Sequence, residues 1–153
     1  MKRVVITINR QYGSGGKTIG YMLAEKLGIP CYSREILQRA SEESGINESM
    51  FNARDERLKR LPKFLLSTNV YSGELLPPES KEFTSDQNLF NYEAEIIKKY
   101  AAEGSCVLIG RCADFVLKDD PDMISVYVHA DHDFQMKSAL ERVSMSEKEM
   151  EKY

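Results

Sequence analysis

Eight residues restrict this chain more than any others: Gln11 to Thr18, QYGSGGKT, set between the apolar run Val4 to Asn9 (VVITIN) and a helical pattern. The run is β-branched and nearly continuous in apolarity, as expected of a central strand covered on both faces. From Lys17 onward Ile19, Met22, Leu23 and Leu27 recur at helical spacing, Gly28 suits a C-terminal cap, and Pro30 stops the helix. Strand, glycine loop and helix together are the context in which G-x-x-x-x-G-K-[ST] holds phosphates. Glycines let amides turn inward, the helix N-terminus adds the positive end of its dipole, the lysine reaches the β and γ phosphates, and the hydroxyl ligates magnesium. Gly13, Ser14, Gly15, Gly16, Lys17 and Thr18 are therefore expected to hold ATP, with Thr18 on Mg2+. Gln11 stands where the pattern has its first glycine, which removes backbone freedom at the turn. The competing reading is a glycine-rich turn whose lysine merely starts a helix.

The remaining chain alternates strands with helices. A short strand near IPCY precedes a helix capped by Ser33, carrying Ile36, Leu37 and Ala40 and ending by Gly45. Asn47 caps another helix that stops before Pro62, and the charged run ARDERLKR within it reads as a solvated face. Residues 62 to 86 mix apolar, Pro and Ser residues without a period, which predicts a mobile insertion or acceptor-binding lobe within a single domain. Leu89, Phe90, Ala94, Ile97, Tyr100 and Ala101 mark one face of a helix from about Asp86 to Glu103. SCVLIG and MISVYV read as further strands, Asp131 as the cap of the next helix, and SEKE, Ser146 to Glu149, as a capping box. This order predicts an α/β fold with a central parallel sheet and right-handed crossovers.

Composition narrows the function classes. With 153 residues, 42% hydrophobic, one core is affordable. The net charge of -3 comes from interspersed signs and argues against a dedicated nucleic-acid or membrane-surface binder. Cys31, Cys106 and Cys112 are an odd set without a C-x-x-C pair, so neither a disulfide framework nor a zinc site is indicated, and a reducing cytoplasm is expected. His129 and His132 lack a second pair at metal-ligand spacing and read as surface residues.

A second constellation lies in VLIGRCADFVL, where Arg111 and Asp114 follow a strand's C-terminal end, the edge where ligands bind in open parallel sheets. Arg111 suits a phosphate held bidentately, and Asp114 an exocyclic amine or magnesium. Against this stands a helix-start ion pair with no ligand. In SREILQR, Arg34 and Arg39 follow another sheet edge but lie on different faces of the helix, so at least one belongs to the surface.

The succession ITIN…GSGGKT, CYSREILQR and SCVLIGRCADFVLKDDPDMISVYVHAD resembles the cytidylate kinase-like proteins, a branch of the nucleoside monophosphate kinases. The resemblance implies a three-layer P-loop kinase fold, substrate contact at Arg39, Arg111 and Asp114, and transfer of the γ-phosphate of ATP to CMP, dCMP or a similar monophosphate. Lys17 and Arg111 would be the catalytic pair. The chain departs from the family pattern at Ser33, where an aspartate is usual, and at Ile109, where an acidic residue precedes GR. The family's arginine-bearing lid and last strand are expected to be missing from these 153 residues. Two other readings stay open: a nucleotide-binding or regulatory module without transfer, and a kinase of another small hydroxylated acceptor. The expected partners are small molecules, without nucleic acid or membrane, and the oligomeric state is left open, a homo-oligomer included.

Overall fold

The computed structural model describes residues 2–60 and 73–141. The elements, in chain order, are β1 (Val5–Arg10), α1 (Gly16–Leu27), β2 (Cys31–Tyr32), α2 (Glu35–Ser44), α3 (Glu48–Arg60), α4 (Asp86–Glu103), β3 (Cys106–Ile109), α5 (Ala113–Val116), β4 (Met123–Val128) and α6 (His132–Leu140). The chain divides into two compact units, one made of Met1–Tyr32 with Glu103–Tyr153 and the other of Ser33–Ala102.

The first unit contains a four-stranded sheet in the order β2-β3-β1-β4, parallel throughout, so the expected α/β class with a parallel sheet is found. The β-branched run places β1 between two partners, with Val5 opposite both Cys106 and Met123. Val5, Ile6, Thr7 and Ile8 are buried in succession, as a strand covered on both faces requires. Ile6, Ile8, Ala24, Val107 and Ile109 form a core cluster. Each fully buried Ile there contributes about 1.5–3 kcal/mol relative to exposure.

Of the apolar residues that mark α1 as a helix, only Leu23 packs against the sheet's core cluster. Ile19, Met22 and Leu27 are exposed, whereas Gly16, Gly20 and Ala24 are buried. Small residues four apart let the helix axis approach the sheet closely: a β-carbon at Gly20 would come 2.7 Å from Ile109 Cδ1. Gly28, with φ 63, ends the helix as expected, its N–H reaching the carbonyls of Ala24 and Glu25.

In the second unit, Ile36, Leu37, Ala40, Phe51, Leu89, Ala94, Ile97 and Tyr100 are buried. Ser33 is not the cap of α2. The N-cap position is Arg34 without a side-chain cap, and Ser33 instead donates its backbone N–H to Glu35 Oε2 at 2.9 Å. The charged run of α3 is not wholly solvated either, because Arg54 is buried with Glu93 of α4, Nη2 donating to Oε2 at 3.3 Å. Arg54 lies three residues after the buried Phe51 and so shares its inward face. The segment 73–85 is pinned to α4: Asn88 accepts from Leu76 N at 2.8 Å and donates to the Phe83 carbonyl at 2.7 Å, while Asn91 donates to the Glu74 carbonyl at 2.5 Å. Most of the expected insertion over residues 62 to 86, and the capping box at Ser146, lie outside the described residues.

Candidate functional site

The loop after β1 opens α1 with Gly15 at the N-cap in the left-handed region, φ 79. The amides of Gly16, Lys17 and Thr18 then have no carbonyl within the helix to bond, and the dipole leaves them partly positive. Gly16 and Lys17 border a cavity of about 380 Å3, lined also by Arg10, Gln11, Tyr12, Gly13, Gly15 and Ala139. Lys17 and Thr18 are exposed, and the Lys17 ammonium rests 5.7 Å from the centre of the Tyr21 ring, one turn along the helix.

The glycine missing at position 11 leaves no defect. Gln11 is not among the residues with positive φ, so its backbone asks nothing that only glycine can supply. Its N–H donates to the Val128 carbonyl at 3.0 Å, and its own carbonyl accepts the Ser14 hydroxyl at 2.8 Å and the Ser14 N–H at 3.3 Å. Ser14, buried, therefore spends both donors in shaping the loop. Gly13 is where glycine is needed: φ is 75, and a β-carbon would come 2.5 Å from the Gln135 carbonyl oxygen. α6, capped by Asp131 accepting from Phe134 N at 2.8 Å, brings Gln135 there.

The register Ile8 opposite Ile109 sets the ends of β1 and β3 side by side, so the glycine loop and the turn carrying Arg111 emerge at the same sheet edge. That turn is strained. Gly110, Arg111 and Cys112 have φ of 73, 58 and 53 in succession. Each of the two non-glycine residues costs about 1–2 kcal/mol in this region, and such strain persists where surrounding structure over-determines it. Asp114 opens the short α5 and is half-buried, and no ion pair joins it to Arg111.

The other sequence-predicted arginines sit in the second unit. Arg34 is exposed and pairs with Glu48 at 3.2 Å. Arg39 pairs with Glu43 at 3.0 Å and lies 4.8 Å over the Tyr100 ring. Lys99, with which Glu43 is also paired, is the main cause holding the Glu43 carboxyl below its ordinary value, ahead of Arg39.

Two residues at the loop carry no motif signal: Arg10 and Gln135. Arg10 ends β1 beside the glycine loop, where a charge on an otherwise apolar strand is the only hint. Its guanidinium keeps contact with solvent, yet the protein around it is enough to lower its pKa, first by desolvation and second by the charge of Arg111. Gln135 is visible only through the chain's return to the loop.

Among the described residues no group of three or more His, Cys, Asp or Glu side chains gathers in metal-binding fashion, and no helix is long and apolar enough to cross a membrane.

No curated protein matches the chain. A crystal structure of an uncharacterized protein from Eubacterium ventriosum is similar, with a TM-score of 0.61 and 28% identity, over 96% of this chain and 66% of that one. The chain thus spans about two thirds of that relative's length. The model of the cytidylate kinase-like family matches residues 5–153, and the chain belongs to that family.

Proposed function

We propose that the chain transfers the γ-phosphate of ATP to a nucleoside monophosphate, CMP and dCMP being the acceptors to try first. Membership of the cytidylate kinase-like family supports nucleotide binding and kinase-type chemistry. The observation that carries the finer reading is the adjacency of the glycine loop and the Arg111 turn at one sheet edge. Phosphoryl transfer asks a protein mainly for positioning and charge stabilisation, and these two features supply both.

In this reading the amides from Gly15 to Thr18 bind the β and γ phosphates, and Lys17 leaves the Tyr21 ring to reach the γ-phosphate. Magnesium, when bound, neutralises charge on those phosphates. The Thr18 hydroxyl would be its protein ligand, and the nucleotide's own oxygens and water would complete the shell, as suits an ion that keeps much of its hydration. Arg111 orients the acceptor's phosphate through a two-pronged donor. For Arg34 and Arg39 to touch the acceptor, each must part from its carboxylate, Glu48 and Glu43. Asp114 is offered as a contact to the acceptor's base. A cytoplasmic setting is proposed with this activity.

Coupled measurement of ADP release against a panel of monophosphates tests it. We expect release that depends on a pyrimidine monophosphate. Lys17→Ala should abolish ATP binding with little change in the unfolding midpoint, since an exposed lysine adds little to stability. Arg111→Ala should weaken monophosphate binding by about 1.5–3 kcal/mol, the worth of a hydrogen bond to a charged group. ATP binding without monophosphate-dependent release would overturn the transfer and leave a nucleotide-binding module. Release with another hydroxylated acceptor alone would reassign the acceptor.

A further inference from the structure

Gln11 is held through its N–H, its carbonyl and its side chain at once. The N–H donates to the Val128 carbonyl at 3.0 Å, the carbonyl takes both donors of Ser14, and the side-chain oxygen accepts from Gln135 Nε2 at 2.9 Å. Val128 ends β4 and Gln135 lies in α6, so the same return of the chain braces the start of the glycine loop from two places. α6 touches the loop again at Gly13, where a β-carbon would come 2.5 Å from the Gln135 carbonyl oxygen. One turn on, Ala139 is buried and lines the cavity beside Lys17. Residues four apart share a helix face, so the face of α6 that grips the loop is also a wall of the space above it. The loop needs such a grip. Gly13 and Gly15 sit at φ of 75 and 79, but glycine populates negative φ as readily, so nothing in either residue keeps it there. A ligand's apparent affinity falls in proportion to the fraction of molecules whose site is formed.

We propose that Gln135 is a positioning residue for phosphate binding. Through Gln11 and Gly13 it holds the glycine loop in the shape that aims its amides at an anion, and an anion in the loop in turn ties down α6. The contact joins two neutral amides, so it acts on the loop's shape and neither attracts nor repels the ligand's charge. Phosphate affinity and the packing of α6 are then one coupling, which linkage makes reciprocal. The inference rests on reading the loop as a phosphate cradle, but not on transfer to any acceptor. The rival account is packing alone, which gives Gln135 a share in stability and none in affinity.

Titration calorimetry, thermal unfolding and hydrogen exchange on the whole chain decide between them. Wild type is compared with Gln135→Met, Gln11→Met and the double variant, since methionine keeps the length of glutamine and removes its hydrogen bonds. The probes are inorganic triphosphate and a non-hydrolysable ATP analogue. Each single variant should lose about three- to ten-fold in affinity for both probes, the loss expected when the formed loop falls to about a third to a tenth of the population. The double variant should lose little more than either single one, because the two side chains act through one contact. Triphosphate should slow exchange of the α6 amides in wild type and do so far less in Gln135→Met. A lower midpoint in Gln135→Met with unchanged affinity for both probes would establish packing alone. Losses that add in the double variant would separate the two residues and overturn the coupling. If affinity falls as expected but no monophosphate elicits ADP release, the transfer fails and the positioning role stands. If release occurs and Gln135→Met binds both probes as wild type does, the transfer stands and the positioning role fails. Wild type that binds neither probe would remove the cradle and the positioning role together.

Discussion

Gln135 donates from Nε2 to Gln11 Oε1 at 2.9 Å, and its backbone closes over Gly13, joining α6 to the glycine loop across the molecule's first unit. The same amide also reaches the Ala130 carbonyl. The residue that looks like a flaw in the loop motif is thus one half of a clasp.

Restoring the motif should therefore not help. Gln11→Gly loses the clasp and adds backbone entropy to the unfolded chain, which together should lower stability by about 1 kcal/mol. ATP affinity should not rise. Urea unfolding and calorimetric titration measure the two effects, and tighter ATP binding in the variant would show that Gln11 does impair the cradle.

The buried pair of the second unit predicts strong coupling. Arg54 Nη1 lies 3.2 Å from Glu93 Oε1, within ion-pair range but off the hydrogen-bond direction, so those two atoms and Arg54 Nε have no hydrogen-bond partner in the described structure. Glu93→Leu leaves buried Arg54 with Asp55 Oδ1, 3.4 Å from Nη2, and should cost about 3 kcal/mol, the low end for a broken buried pair, whereas Arg54→Met combined with Glu93→Leu should recover most of it. A double-mutant cycle reads this. Additive losses would mean that the two side chains act independently.

Thiol chemistry should sort the cysteines. Cys106 is buried, and burial pushes its thiol up to about 11, so it carries little thiolate at neutral pH. Cys112 is exposed in the strained turn and Cys31 half-buried. A maleimide should label Cys112 first and Cys106 only on unfolding, with CMP slowing the reaction at Cys112 if Arg111 holds its phosphate. Mass spectrometry of partially labelled native protein checks the order. Early labelling of Cys106 would contradict it.

Acid should weaken one tether of the sheet. Arg3 Nη2 donates to Asp120 Oδ1 at 2.6 Å, and this bond is the main cause holding the Asp120 carboxyl below its ordinary value of 3.8. A depressed carboxyl contributes stability that is present above the ordinary value and lost as pH falls through the folded one. The difference in urea midpoint between wild type and Arg3→Met should be steady above about pH 5 and shrink below pH 4. A difference that persists unchanged to strong acid would remove Asp120 from the account.

What the sequence showed depended on whether the physics was local. The strand, loop and helix from Val5 to Leu27 were legible because β-branching, glycine and period all act within a few residues, and the cap at Asp131 was legible for the same reason. Ser33 misled because a serine caps only if its backbone turns, and residue type does not reveal that. Arg54 misled because a run of charges reads as a solvated face, although it shares a face with the buried Phe51. Gln11 looked defective because a motif records residue types, not dihedral angles. Arg10 was hidden because the backbone its guanidinium reaches, Gly110, lies a hundred positions later, and Gln135 because its partner lies 124 residues away.

The place of β1 between β3 and β4 has a consequence for biosynthesis. Its two hydrogen-bonding neighbours are encoded roughly 100 residues downstream, so at about 5–20 residues per second a ribosome leaves this strand waiting some 5–20 s for either of them. Closing so long a loop before any pairing is rewarded makes sheet assembly a late and slow event. Throughout that wait a largely apolar strand of the nascent chain has both edges open to mispairing. Anything that binds at the strand ends stabilises only the finished sheet, so it gives the waiting strand no protection during the interval.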